Sequence, residues 1–278
     1  MKRILAVLLT LVLTVSLVSI SKAESIMDID IGLTISFIDV GRGDAILLRC
    51  GGESMLIDGG SRSKGNTVKN YLDSIGLTEL TYMLNTHRHN DHIDGLIWLV
   101  ENNFSVGEYL SPYRENFLDP DGRHDKMVRW LRQRNIVYHQ IGNGDEMWLG
   151  NLVHLEFLRD ESKGGTPNSY SVVTKVTFGE TTILLMADVE GEAQRHLLKE
   201  YGSDFFKADI LKCSHHGTTA MVYEFLDAVD PDLAIVTNSR KKNSGIENQL
   251  NNRKIKHYYT AEGTVEIQSD GLDWTVMK

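Results

Sequence analysis

Apolar and polar side chains alternate from Thr34 to Ile38, the period of a half-buried strand, and Val172–Phe178 repeats the alternation less strictly. Ala45–Arg49 and Ser54–Ile57 predict a hairpin turned at Gly51-Gly52. Short apolar runs at 80–84, 152–157, 182–186, 210–212 and 233–236 predict further strands. Apolar residues at helical spacing predict helices over 67–75, 91–100, 126–134, 191–201 and 221–228. Strands repeatedly lead into helices while hairpins interrupt the order. That predicts mixed sheets covered by helices, not a strictly alternating parallel sheet. No internal repeat, low-complexity stretch or Pro-rich linker divides the chain, so one α/β domain is expected over about residues 30–278.

The N-terminal pattern is different. Lys2 and Arg3 precede an apolar run from Ile4 to Ile20, and Ser21-Lys22-Ala23 places small residues at −3 and −1 of a cut before Glu24. This is the layout of a secretory signal peptide over residues 1–23, with an uncleaved membrane anchor as the alternative. The remainder is expected to be secreted or extracytoplasmic, with no stable membrane association of its own.

Composition narrows the partners. Of 278 residues, 41% are hydrophobic and 24% charged, a globular balance that excludes disordered, fibrous and multi-span chains. Lys and Arg total 29 against 38 Asp and Glu, a net charge of −9. Without Lys2, Arg3 and Lys22 the body is still more acidic. It repels polyanions at long range, so any nucleic acid, expected only as a substrate, needs a local basic patch or a metal. Cys50 and Cys213 are the only cysteines, which excludes a disulfide scaffold; two buried thiols are expected, with a disulfide as the alternative.

Chemistry concentrates at strand ends. Leu84-Asn85-Thr86 leads into His87-Arg88-His89-Asn90-Asp91-His92, between an apolar strand and a helix. His87 and His89 are two apart, so an extended backbone directs both to one face, while Asp91 and His92 can serve a second ion in the turn. Imidazole with carboxylate suits Zn²⁺, and also Mn²⁺ or Fe²⁺. A second cluster, Cys213-Ser214-His215-His216-Gly217, follows the strand at 210–212. Two more apolar strands end in carboxylates, Asp188 after Leu184–Ala187 and Asp58 before Gly59-Gly60. Taken alone, Asp188 reads first as a helix N-cap.

His-x-His-x-Asp-His after a strand resembles the signature of the metallo-β-lactamase superfamily. The segments Phe37–Ala45, Leu56–Gly60, Thr86–His92, Asn168-Ser169, Ala187-Asp188 and Ser214–Gly217 together resemble the hydrolase domain of ComEC/Rec2-type competence proteins and secreted phosphorylcholine esterases. The resemblance covers about residues 33 to 270. It implies an αββα sandwich of metallo-β-lactamase type, with two mixed sheets flanked by helices and two divalent metal ions at one edge, zinc first, manganese or iron as alternatives. By the same resemblance His87 and His89 bind one ion, Asp91 and His92 the other, and Asp188 bridges. His216 completes the second ion's shell while His215 faces the substrate, the reverse assignment remaining open. Asp58 orients a ligand histidine, Asn168 lies just outside the ligands, and the Asp44 loop is read as a structural turn. Asp91 and His215 are the catalytic candidates, for orienting an activated water and for contacting a phosphoryl oxygen or protonating a leaving group.

Three departures bear on substrate. No histidine in a recognisable setting lies between the first motif and Asp188, His124, His139 and His154 being the candidates. The late Gly-His-Pro element is missing. Arg42 stands where the resemblance expects Gln. The expected function is an exported dinuclear metal-dependent hydrolase, a phosphodiesterase or nuclease-like enzyme. The alternatives are a lactonase or β-lactamase-type hydrolase and a non-catalytic metal-binding surface module. Arg240-Lys241-Lys242 is read as a solvated loop before a phosphate contact, His124 as a loop residue, and Tyr109, Tyr113, Phe117 and Trp130 as core before a substrate wall.

Overall fold

The computed structural model describes residues 32–162, 165–239 and 244–277. The expected signal peptide and Arg240-Lys241-Lys242 lie outside them. In chain order the elements are β1 (Leu33–Phe37), β2 (Ile46–Cys50), β3 (Glu53–Ile57), α1 (Gly65–Ser74), β4 (Glu79–Leu84), α2 (Asn90–Glu101), β5 (Ser105–Ser111), α3 (Arg123–Arg134) and β6 (Val137–Gln140). Next come β7 (Asp145–Leu149), β8 (Val153–Leu158), β9 (Val173–Phe178), β10 (Thr181–Leu185), α4 (Gly191–Tyr201) and β11 (Ile210–Lys212). The chain closes with α5 (Tyr223–Val229), β12 (Leu233–Val236), α6 (Ser244–Asn252), β13 (Lys256–Tyr259), β14 (Val265–Ser269) and β15 (Trp274–Met277).

Two sheets form, ordered β15-β14-β1-β2-β3-β4-β5-β6 and β13-β12-β11-β10-β9-β8-β7. Each is antiparallel in one half and parallel in the other. β3 to β6 run parallel in the first sheet and β10 to β13 in the second. The alternation read from sequence sorts side chains between layers. Ile46 and Leu48 face the second sheet, where Phe157, Val176, Ile183 and Ile235 meet them. Leu47 and Leu56 face the other way, against Val68 and Leu72 of α1, Leu96 of α2 and Met127 of α3. On the far side Leu184, Leu211 and Ala234 pack under Leu197, Phe225 and Leu250 of α4, α5 and α6. The result is the expected αββα sandwich. Cys50 and Cys213 sit in different layers as buried thiols with no disulfide between them.

The strands and helices read from apolar periodicity are present with ends shifted by a few residues. The elements that apolar periodicity does not predict include β6, β7 and β15, whose side chains are largely exposed or half-buried. Such edge strands are held by ladder hydrogen bonds to a neighbour and need no apolar face, so they leave no pattern to read.

Parallel strands bring their carboxyl ends to one edge, which is where an open α/β sheet presents ligand-binding loops. Asp58 follows β3, His87–His92 follow β4, Asp188 follows β10 and His215-His216 follow β11. β2 is antiparallel to β3, so its start, with Asp44, reaches the same edge. A close approach locks the loops there. A Cβ on Gly95 of α2 would lie 1.8 Å from Gly59 O. The contact lets Gly59 N donate to His92 O at 2.8 Å and Gly95 N donate to Gly60 O at 2.9 Å.

Candidate metal centre

Four imidazoles and a carboxylate converge where the two sheets meet. His87 Nε2 lies 3.1 Å from His89 Nδ1 and 3.6 Å from Asp188 Oδ2. On the other side of the same carboxylate, His92 Nε2 lies 3.3 Å and His216 Nε2 3.4 Å from Asp188 Oδ1. The two Nε2 atoms are 3.2 Å apart, and Asp91 Oδ2 is 3.7 Å from that of His216. His87, His89 and Asp188 thus form one donor cluster, and His92, Asp188 and His216 form a second, with Asp44 beside it. Asp188 belongs to both. The first sheet contributes His87, His89, Asp91 and His92, and the second contributes Asp188 and His216.

Hydrogen bonds at the back of each ring determine which nitrogen faces inward. Asp58 Oδ2 lies 2.7 Å from His92 Nδ1 and accepts from Thr86 Oγ1 at 2.6 Å. Asp58 Oδ1 accepts from Thr86 N at 2.9 Å and Asn85 Nδ2 at 3.1 Å. His216 Nδ1 lies 3.2 Å from both Asp44 Oδ1 and Thr237 Oγ1. In each case the carboxylate fixes the tautomer and turns Nε2 toward Asp188. Asp44 is therefore more than the structural turn read from sequence. It takes a hydrogen bond from Thr237 at 2.7 Å and is bonded by the fully buried Lys212, whose Nζ also donates to Ala187 O at 2.9 Å.

Backbone strain gathers at the same loops. Asp58, Ala187, His215 and His216 all have positive φ, at 56°, 44°, 46° and 55°. Such conformations each cost of order 1 kcal/mol and persist where the surroundings over-determine them. Gly43, at φ 141°, lets Asp44 N approach Asp91 O at 3.3 Å, where a Cβ would clash.

Electrostatics separate the imidazoles. Burial, helped by the neighbouring His92, holds His87 well below the usual imidazole range, and burial also lowers His89. Both are thus neutral, as metal ligands must be. Burial opposes charge on His92, yet the Asp188 and Asp58 carboxylates outweigh it and raise that ring well above its ordinary value. Asp188 itself, despite burial, is held well below the carboxylate range by His92 and His216. Its Oδ1 is buried and accepts no hydrogen bond among the described residues. An orphaned carboxylate oxygen facing two imidazole nitrogens is the arrangement that a cation completes. The residues fit two divalent ions.

The adjacent histidines divide. His216 is fully buried among the donors, whereas the His215 side chain is 23% exposed, with Nε2 3.8 Å from Asp188 Oδ2. Its Nδ1 lies 2.7 Å from Glu190 Oε1, a contact that raises the His215 pKa. Asn168 Nδ2 donates to Glu190 at 3.4 Å, and its backbone carbonyl accepts from Ser171 Oγ, which in turn receives Asp188 N. Arg42, 57% exposed, sets its guanidinium 3.4 Å from Asp91 Oδ2 at the mouth.

None of the candidates for a middle histidine joins the centre. His139 pairs with Glu108 and His154 with Glu146. His124 is not in a loop as expected but is buried in the first turn of α3, against Arg114 O at 3.0 Å. Tyr109 and Trp130 pack in the core, while Tyr113 and Phe117 line a cleft. Lys212, Thr237 and Glu190 were missed from sequence. Lys212 alone carried a signal, a charge at the end of an otherwise apolar strand.

The family model described as Metallo-beta-lactamase superfamily matches residues 38–237. Recombination protein 2 of Haemophilus influenzae is 27% identical over 210 residues, covering 73% of this chain and 24% of that protein. Uncharacterized protein YcaI of Escherichia coli is 26% identical over 237 residues, covering 81% and 27%. The chain thus spans about a quarter of the length of these relatives. Among solved structures, the CmlA beta-hydroxylase E377D mutant matches with a TM-score of 0.54 at 13% identity, over 82% of this chain and 52% of that one, a likeness of fold alone.

Proposed function

The chain belongs to the metallo-β-lactamase superfamily, and from that premise we propose that it is an exported, dinuclear metal-dependent phosphodiesterase. The observation that carries this reading is the Asp188 carboxylate, with one oxygen toward His87 and His89 and the other, unpartnered, toward His92 and His216. Two divalent ions held there, zinc being the first candidate, supply Lewis acidity that makes water a stronger acid at neutral pH and offsets charge gathering on phosphoryl oxygens.

The chain's own residues supply the rest. Asp91, partly exposed beside Arg42, is placed to accept a proton from the attacking water and orient it. His215, held at Nδ1 by Glu190, presents Nε2 at the mouth to donate to a phosphoryl or leaving-group oxygen. Arg42 adds a cation where a substrate anion enters. A phosphodiester suits this mouth because its transition state spreads negative charge over several oxygens. The partial similarity to a protein named Recombination protein 2 favours nucleic acid as its source. Export follows from the residue 1–23 pattern, with cleavage before Glu24.

Hydrolysis of bis(p-nitrophenyl) phosphate by the protein loaded with Zn²⁺ or Mn²⁺, beside Asp188→Ala, tests the activity. Turnover lost in the variant supports the phosphodiesterase. Bound metal without turnover sinks it and moves lactams and lactones forward. The N-terminal sequence of the protein recovered outside the cytoplasm tests the export reading, a start at Glu24 being expected.

A further inference from the structure

A cleft of about 610 Å³ opens beside the ligand segment, lined in part by Arg88, Tyr113, Arg114, Phe117, Arg159 and Tyr170. Three guanidinium groups in one cleft are unexpected on a chain with a net charge of −9. They are not equivalent. Arg88 is 17% exposed and is neutralised by Asp119 at 3.1 Å and by Asp121, so it serves as wall. Its backbone lies between His87 and His89, and its N–H donates to Tyr113 Oη at 3.3 Å, tying the cleft to the metal centre.

Arg159 has no such counterion. Its Nη1 donates to Pro112 O at 2.9 Å and its guanidinium lies 5.8 Å from the Tyr170 ring centroid, but its buried Nε has no hydrogen-bond partner among the described residues. No carboxylate pairs with it among the described residues. The adjoining Asp160 is turned away, accepting from Ser162 and contacting His196 at 3.2 Å. Arg114 is exposed and has no ion pair among the described residues, while the next acid, Glu115, is taken by Arg132 at 2.9 Å. A buried donor left unsatisfied beside a second uncompensated cation favours an anionic ligand, which guanidinium binds through paired N–H groups.

The rest of the cleft is aromatic. Phe117 stacks on Tyr113 with centroids 4.8 Å apart and planes at 25°, and the half-buried Phe117 and Tyr170 rings both line the cleft. Cations beside ring faces fit a phosphate joined to a flat ring. We propose that this cleft is a subsite for a nucleoside phosphate unit adjoining the scissile bond, with Arg159 and Arg114 on its non-scissile phosphate and the aromatic wall on its base. The proposal rests on the phosphodiesterase reading for its place in catalysis, but not for binding itself.

Calorimetry on the metal-free protein in chelator tests it, because phosphate cannot then be held by bound cations. The probes are thymidine 5′-monophosphate, thymidine and inorganic phosphate. Thymidine monophosphate is expected to bind more tightly than either fragment, and Arg159→Gln and the surface variant Arg114→Ala are each expected to weaken it about tenfold. Arg159→Lys should recover part of the loss. Equal affinity in native protein and both variants overturns the subsite, as does thymidine binding as well as its phosphate. With metal restored, a dinucleotide bearing a 5′-phosphate should show a lower KM than the one lacking it, a difference that Arg159→Gln abolishes. Binding without any turnover would leave the subsite standing and sink the hydrolase. Turnover without selective binding would do the reverse.

Discussion

Asp58 lies 2.7 Å from His92 Nδ1, and its remaining acceptor sites are filled by Thr86 and Asn85. Every acceptor site is therefore used to aim one ring. Asp58→Asn would put an amide donor against another donor and release the His92 tautomer. Affinity for the ion at the His92/His216 cluster is expected to fall about 10- to 100-fold, with the His87/His89 cluster less affected. Zinc equilibrium dialysis, read as two separable affinities, checks this, and two unchanged affinities would contradict it.

Lys212 and Asp44 form a buried ion pair behind His216. Lys212→Met leaves the carboxylate uncompensated and is expected to cost about 3–5 kcal/mol in urea denaturation, part of which Asp44→Asn should restore in the double variant. The pair also sets an acid limit. Burial alone would raise the Asp44 pKa, but Lys212 above all, with His216 and His92, holds it below the usual carboxylate range. A depressed carboxyl contributes stability above its unfolded pKa of about 3.9 and loses it as pH falls toward the folded value. Native protein should lose stability steeply below about pH 4, and Lys212→Met should flatten that slope.

Gly95→Ala introduces a Cβ 1.8 Å from Gly59 O, backbone against backbone. Helix α2 must move away from the Asp58 loop, breaking the Gly59 N to His92 O hydrogen bond. A loss of about 1–3 kcal/mol is expected, read as a lowered thermal midpoint, together with weaker zinc binding. A midpoint equal to the native one would show that the loops yield freely.

Burial pushes the Cys213 thiol up to about 12, so at neutral pH it has almost no thiolate. Iodoacetamide at pH 8 is expected to leave Cys213 unmodified in the folded protein and to label it fully in urea, as peptide mass spectrometry would show. Rapid labelling without denaturant would mean that the β11 loop opens.

Much of this molecule is local, and the local part was legible. His87, His89, Asp91 and His92 lie within six positions, and the strand before them shows its period in its apolar residues. Asp188 and His216 could be placed as bridging and second-ion ligands only through resemblance, because nothing in an isolated Ala-Asp or His-His says what it faces. What stayed hidden depends on distant partners. Asp44 reads as a turn until His216, 172 positions away, is seen against it. Nothing in the sequence around Lys212 or Arg159 says that one meets Asp44 and the other meets no carboxylate among the described residues. Edge strands β6 and β15 carry no apolar code because their stability comes from a neighbour's backbone.

The division of ligands between the two sheets also constrains the order of assembly. Asp44 meets Lys212, His216 and Thr237 across 168, 172 and 193 positions, closures that are slow to form relative to any hairpin. Either sheet formed alone holds an incomplete set of donors, imidazoles without the shared carboxylate on one side and the carboxylate with His216 on the other. Tight capture of ions at both clusters would therefore report that the two sheets have docked.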